Sequence, residues 1–148
     1  MIKITTYSAS ETKLLGIRLA ELLSPGKLLI LTGDLGAGKT TFTQGLAQGI
    51  GITKTVTSPT FTIMKVYKGP LPLYHIDAYR LEGLSQDLGL EEMMEDDGIC
   101  VIEWPKYISA GLPERYLNID IKRVSEDVRL LTFIAHGAEY ETILKELQ

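Results

Sequence analysis

The 148 residues carry fifteen Lys and Arg against nineteen Asp and Glu, a formal net charge of -4. The basic residues are scattered, which argues against tight direct binding of RNA or DNA by this chain alone. Hydrophobic residues make up 45% of the chain, enough for a single domain over residues 1–148, and a domain of this size buries about 68–70% of its unfolded surface.

No apolar run approaches the ~20 residues that span a bilayer. The start, Met1-Ile2-Lys3-Ile4-Thr5-Thr6, lacks the apolar centre of a secretory signal. The reading is a soluble, cytoplasmic protein without a membrane partner. Cys100 is the lone cysteine and sits in Ile99-Cys100-Val101-Ile102, so it forms no internal disulfide and reads as a small buried hydrophobe. The two histidines, His75 and His136, suggest no zinc site.

In chain order, Ile2, Ile4 and Thr6 alternate with polar residues, as a short strand does. Ser8-Ala9-Ser10-Glu11 then has the spacing of a capping box, and Leu15, Leu19 and Leu22 share one helical face up to the breaker Ser24-Pro25-Gly26. Lys27 opens a second strand, Leu28-Leu29-Ile30-Leu31. It runs into Gly33-Asp34-Leu35-Gly36-Ala37-Gly38-Lys39-Thr40-Thr41, a Gly-x4-Gly-Lys-Thr loop. Glycines there let several consecutive backbone N–H groups point at one anion. Lys39 then reaches the β and γ phosphates of a nucleotide, and the Thr40 hydroxyl faces magnesium. Phe42, Leu46 and Ile50 recur every four residues, so a helix begins in the loop and turns its positive end to the phosphates.

Gly49-Ile50-Gly51 ends that helix. Thr53 to Thr60 is polar and threonine-rich, as a mobile loop long enough to reach the nucleotide would be. Phe61 to Tyr67 and Leu73 to Asp77 read as strands joined in a hairpin across Gly69-Pro70-Leu71-Pro72. Leu84 to Asp97 contains a short helix whose acidic end reads as a solvated face, with a surface for a basic partner as the second reading. Ile99 to Ile102 is continuously apolar, as a strand covered on both faces is, with Glu103 as its polar end. Tyr116 to Val124 and Val128 to Ala135 form an antiparallel pair. Tyr140, Ile143, Leu144 and Leu147 mark one face of a closing helix. The sum is an α/β fold, P-loop NTPase-like and three-layered, with a parallel core and antiparallel C-terminal strands.

A magnesium nucleotide site also needs a carboxylate at the end of a neighbouring strand. Glu103 ends the more buried strand and takes the metal on pattern. Asp77, at the end of a more polar strand, either orients the attacking water, holds a metal-bound water, or pairs with Arg80. The Thr60 hydroxyl on the polar loop either contacts magnesium or the γ-phosphate, as switch loops do, or sits in a plain turn. Trp104 either covers the site, receives a partner, or packs half-buried.

The P-loop segment, Ser58-Pro59-Thr60-Phe61, Tyr74-His75-Ile76-Asp77-Ala78-Tyr79-Arg80-Leu81 and Ile102-Glu103-Trp104-Pro105 occur in this order over nearly the whole chain. Together they resemble the TsaE (YjeE) family of tRNA threonylcarbamoyladenosine biosynthesis ATPases. Ala78, where the family often has leucine, and Lys106 after the Trp-Pro pair are small departures. The resemblance implies a bacterial ATPase using ATP and Mg2+. It implies action with TsaD and TsaB when threonylcarbamoyl is transferred to an adenosine beside the anticodon of tRNAs reading codons that begin with A, so tRNA is met through the complex. It implies magnesium ligands at Thr40 and Glu103, a second important carboxylate at Asp77 and the family tryptophan at Trp104. It also implies that the turn at Ser8 and a late-strand basic residue, Arg129, border the base or ribose.

Three rivals stand beside this reading. A small-molecule kinase needs a lid of clustered arginines, and Arg18, Arg80, Arg115, Arg123 and Arg129 are dispersed. A GTPase needs an Asn-Lys-x-Asp motif, which is absent. A nucleotide-binding regulator without turnover needs no water-orienting carboxylate at Asp77.

Overall fold

The computed structural model describes residues 1–34, 36–57, 64–77, 98–103 and 114–148, with Met64 and Asp77 described for their backbone alone. Within them lie β1 (Ile2–Thr6), α1 (Ala9–Ala20), β2 (Leu28–Thr32), α2 (Lys39–Gly49), β3 (Met64–Tyr67), β4 (Leu73–Asp77), β5 (Ile99–Glu103), β6 (Tyr116–Arg123), β7 (Arg129–His136) and α3 (Ala138–Leu147). The helix expected within Leu84 to Asp97 and the first part of the strand expected from Phe61 fall outside the described residues.

The strands form one sheet in the order β1-β7-β6-β2-β5-β4-β3. Its centre is parallel, with β2 between β5 and β6 and with β4 beside β5. The hairpin β3–β4 and the β6–β7 and β7–β1 pairs are antiparallel. The expected fold class, a mixed α/β sheet with a parallel core and antiparallel C-terminal strands, is the observed one. Every residue of β2 and β5 is buried, which is why both read as unbroken apolar runs and not as alternating ones.

On one face of the sheet Leu29, Leu31, Val101, Leu117, Ile119, Leu131 and Phe133 pack against Leu15 and Leu19 of α1, Phe42 and Leu46 of α2, and Tyr140, Ile143, Leu144 and Leu147 of α3. Leu28, Ile30, Ile76, Cys100 and Ile102, at the alternate positions, are equally buried on the other face, as the three-layer reading requires.

Local chemistry sets the helices. Ser8, in extended conformation, caps α1 by accepting the Glu11 N–H at 3.1 Å. Glu11 in turn accepts the Tyr7 N–H at 3.1 Å, so the box closes one residue earlier than its usual form. The α1–α2 crossing is set by small residues. A Cβ on Gly16 would stand 2.5 Å from the Phe42 carbonyl oxygen, and one on Gly45 would enter the Lys13 carbonyl. This close crossing holds the α2 N-terminus in place at the end of β2.

Candidate active site at the carboxyl end of the sheet

The P-loop leaves β2 at a point where no side chain fits. Gly33 has φ +150, and a Cβ there would lie 2.5 Å from the Ile121 carbonyl oxygen of the neighbouring strand. Asp34 and Gly36 are exposed and Ala37 is buried, with the Ala37 N–H closing a turn onto the Asp34 carbonyl at 3.0 Å. Gly36 has φ +80 and open space where its Cβ would stand. Its glycine answers a backbone requirement, and the crown of the loop is left clear for a ligand. Leu35 lies outside the described residues.

Gly38, at φ 111, is the N-cap of α2 and offers no side-chain cap, and the first turn of the helix contains no acidic residue. The first N–H groups of a helix have no partner within it. An uncapped, unneutralised N-terminus beside an open glycine loop is an anion cradle. Lys39, Thr40 and Thr41 occupy its first turn. The Lys39 amine donates to the Gly33 carbonyl at 2.8 Å and folds back along the loop. Thr40 and Thr41 are half-buried at the same helix end.

The carboxylates arrive by strand register. Leu31 pairs with Glu103, and Glu103 pairs with Asp77, so both acidic positions line up beside the end of β2 where the P-loop begins. This is the carboxyl edge at which open α/β sheets bind ligands. Glu103 is 5% exposed, and its Oε1 lies 3.5 Å from Nε2 of His75. The Asp77 backbone is placed by the same register. Its side chain, Arg80, Thr60 and Trp104 lie outside the described residues.

Arg129 approaches from the opposite side of the loop. Its Nε donates to the Ala37 carbonyl at 2.8 Å, and NH1 donates to the carbonyls of Ser125, Glu126 and Val128. Thr6 pairs with Arg129 in the β1–β7 ladder, so the turn carrying Ser8 leaves the strand end beside Arg129. The Ser8 hydroxyl is occupied by its capping bond.

Several residues at this edge drew no functional reading from sequence. Thr32 donates to Asp120 Oδ1 at 2.8 Å, and Asn118 donates to the Ile30 carbonyl at 3.1 Å, bracing the last residues before the loop from β6. Their only signal is the alternation of Asn118 and Asp120 with apolar residues along β6. His75 carries no signal of its own in the sequence, since two histidines suggest no zinc site. The polar loop is anchored in its described half. Val56 is buried, its carbonyl accepts from Gln44 Nε2 at 3.0 Å, and the Tyr67 hydroxyl bonds both the N–H and the carbonyl of Thr57.

Burial raises the Cys100 thiol to about 12, so this thiol is an inert core group and not a nucleophile. No group of three metal-ligating side chains forms among the described residues. Magnesium is commonly held by one or two protein oxygens together with substrate phosphates. Thr40 at the cradle and Glu103 on the adjoining strand end fit such an ion. No described helix is long and apolar enough to cross a membrane.

Comparison with known proteins agrees with this geometry. The family described as threonylcarbamoyl adenosine biosynthesis protein TsaE matches residues 6–131. The tRNA threonylcarbamoyladenosine biosynthesis protein TsaE of Bacillus subtilis is 50% identical over 147 residues, covering 99% of this chain and 93% of the relative. The protein of the same description from Treponema pallidum is 41% identical over 133 residues, covering 88% and 98%. The crystal structure of Bacillus subtilis YdiB superposes with a TM-score of 0.84 at 46% identity, covering 99% of this chain and 93% of that one. With the family matching residues 6–131 and relatives 50% and 41% identical across most of its length, the chain belongs to the TsaE family.

Proposed function

We propose that the chain acts as one P-loop ATPase domain in the formation of threonylcarbamoyladenosine beside the anticodon of tRNAs reading codons that begin with A, working with TsaD- and TsaB-type proteins. The observation that carries the ATPase part is the conjunction of the open glycine crown, the uncapped α2 N-terminus and the Lys39 amine with a buried carboxylate one strand away. The pathway comes from the family and from the relatives' descriptions.

In this reading the backbone from Gly33 to Gly38 and the N-terminus of α2 bind the phosphates, and Lys39 offsets charge on the β and γ positions. Thr40 and Glu103 would hold magnesium, which when bound neutralises phosphate charge and fixes the geometry of the triphosphate. Asp77 orients the attacking water from the neighbouring strand end. Ser8, Arg129 and the crown residues Asp34, Leu35 and Ala37 border the nucleotide. The net charge of -4 leaves tRNA to be met through the partners. The loop with Thr60, together with Trp104, forms the surface that differs between ATP and ADP states, because occupancy shifts docking only through differential contacts.

The test is an ATPase assay of the full chain with and without a TsaD–TsaB pair, alongside pull-down in ATP and ADP. Slow turnover alone, stimulation by the pair, and tighter docking with ATP are expected. Equal docking in every nucleotide state without stimulation would restore the small-molecule kinase as the leading reading.

A further inference from the structure

His75 is the third residue of β4, pairs with Val101 of β5, and is fully buried at 0% exposure. Strand alternation puts it on the same face as Leu73, Val101 and Glu103. Leu73 and Val101 are part of the apolar core. Neither Nδ1 nor Nε2 has a hydrogen-bond partner among the described residues. The nearest complementary group is the Glu103 carboxylate, with Nε2 to Oε1 at 3.5 Å.

An imidazole left unpaired in such a place is destabilising, because its polar atoms have given up water without a replacement. An apolar residue would fill the position without that cost, as Leu73 and Val101 do on either side. The 3.5 Å separation exceeds the roughly 2.7–3.2 Å of a formed N–H to oxygen bond. A displacement of the Glu103 carboxylate of about 0.3 Å would bring the pair to the upper end of that range.

We propose that His75 is a positioning residue for Glu103: its Nε2–H holds one carboxylate oxygen and so presents the other to the magnesium nucleotide. The inference rests on the proposed reading of Glu103 as the carboxylate that holds magnesium. Its physical basis is that a carboxylate with a single tethered oxygen has lost most of its rotational freedom before the ion arrives. Partners of this kind change metal affinity by about 10–100-fold. The bond acts from the core side of the sheet, so His75 itself touches neither nucleotide nor metal.

The test titrates Mg2+ against binding of a fluorescent ATP analogue to the full chain, with thermal unfolding recorded for each variant. His75→Leu is expected to raise the half-saturating Mg2+ concentration about tenfold while binding in EDTA is unchanged. His75→Gln carries an amide N–H near the Nε2 position and restores the wild-type midpoint. His75→Asn carries its amide near Nδ1 and does not restore it, a difference that loss of packing alone would not produce.

In a Glu103→Gln background the effect of His75→Leu vanishes, because the two act in one chain of contacts. Should His75→Leu fail to fold, the Gln and Asn pair decides. A wild-type midpoint in both Leu and Asn variants, or a His75→Leu effect that persists in full beside Glu103→Gln, overturns the inference. If Glu103→Gln alone leaves the magnesium midpoint unchanged, the reading of Glu103 falls first, which the single variant shows independently.

Discussion

Arg129 donates its Nε–H to the Ala37 carbonyl at 2.8 Å, joining two residues 92 positions apart in sequence. The crown of the P-loop is thereby tied to the start of β7. NH1 of the same guanidinium bonds three carbonyls of the preceding turn, so one planar group fixes the loop to the sheet. Removing it loosens the crown and also strips a positive charge from its border. Arg129→Ala is expected to cost about 1.5–3 kcal/mol of stability, the range for hydrogen bonds to a charged group, and to weaken ATP binding about tenfold. Arg129→Lys should recover little, since an ammonium cannot bond both the loop and the turn in one plane. Unchanged ATP affinity in Arg129→Ala would show that the tie is structural ornament.

Lys39→Ala is expected to abolish hydrolysis and to weaken ATP binding by at least about 100-fold, with the fold intact. The Lys39 amine donates to the Gly33 carbonyl of its own loop, and the α2 core residues Phe42 and Leu46 do not depend on it. Isothermal calorimetry with ATP, beside a thermal melt, separates the two effects. Near-normal turnover in this variant removes the site assignment.

The two strand-end carboxylates should separate by the step they touch. Glu103→Gln is expected to weaken magnesium-dependent nucleotide binding, and Asp77→Asn to lower turnover about 100-fold with nucleotide still bound. Magnesium titrations of binding and single-turnover rates on both variants give the answer, and the opposite pattern reverses the roles.

What the sequence made readable was whatever is enforced locally. The P-loop shows itself because backbone dihedrals at Gly36 and Gly38 and the charge at Lys39 each demand a residue type at a fixed spacing. Strands β2 and β5 show themselves because burial on both faces removes polar residues altogether. The register that sets Leu31, Glu103 and Asp77 in one row has no local signature, since any parallel neighbour would satisfy the same apolar pattern. For the same reason no local pattern marks Asn118 and Asp120 as braces of the last residues of β2, and the contact of His75 with Glu103 shows only once the strands are paired. The anchoring of Thr57 by Tyr67 is equally invisible, because ten positions of sequence separate the two residues.

Gly45 lies inside α2, where a glycine weakens a helix, and the structure gives it a purpose. Its Cβ position is filled by the Lys13 backbone carbonyl, which cannot retreat without moving α1. Gly45→Ala would gain about 1 kcal/mol of helix propensity in isolation. Overpacking against backbone costs typically about 1–3 kcal/mol or more. The crossing term wins. A fall in melting temperature of roughly 3–10 °C is expected, together with weaker ATP binding, because α2 carries Lys39 and Thr40 at its N-terminus. A stabilised Gly45→Ala variant would mean that the two helices separate more easily than their packing implies.

Cys100 supplies a prediction about pH. Burial raises its thiol from 9.0 to about 12, so the folded chain keeps the proton over a range in which the unfolded chain releases it. The folded state binds more protons there, and stability falls as pH rises. The contribution is fully present below about pH 9 and is lost progressively toward about 12, at roughly 1 kcal/mol per pH unit. Tyrosines add the same sign, since burial also raises Tyr140 and Tyr116, so the cysteine term must be isolated by difference. Cys100→Ala removes it at the cost of a small cavity that is independent of pH. In urea unfolding from about pH 8 to about pH 10.5, the stability advantage of the wild type over Cys100→Ala should shrink by roughly 1–2 kcal/mol. Alkylation of the native thiol at about pH 8.5 should be correspondingly slow and should follow unfolding. Parallel stability curves for the two proteins across that range would show that Cys100 ionises in the folded chain at its ordinary value.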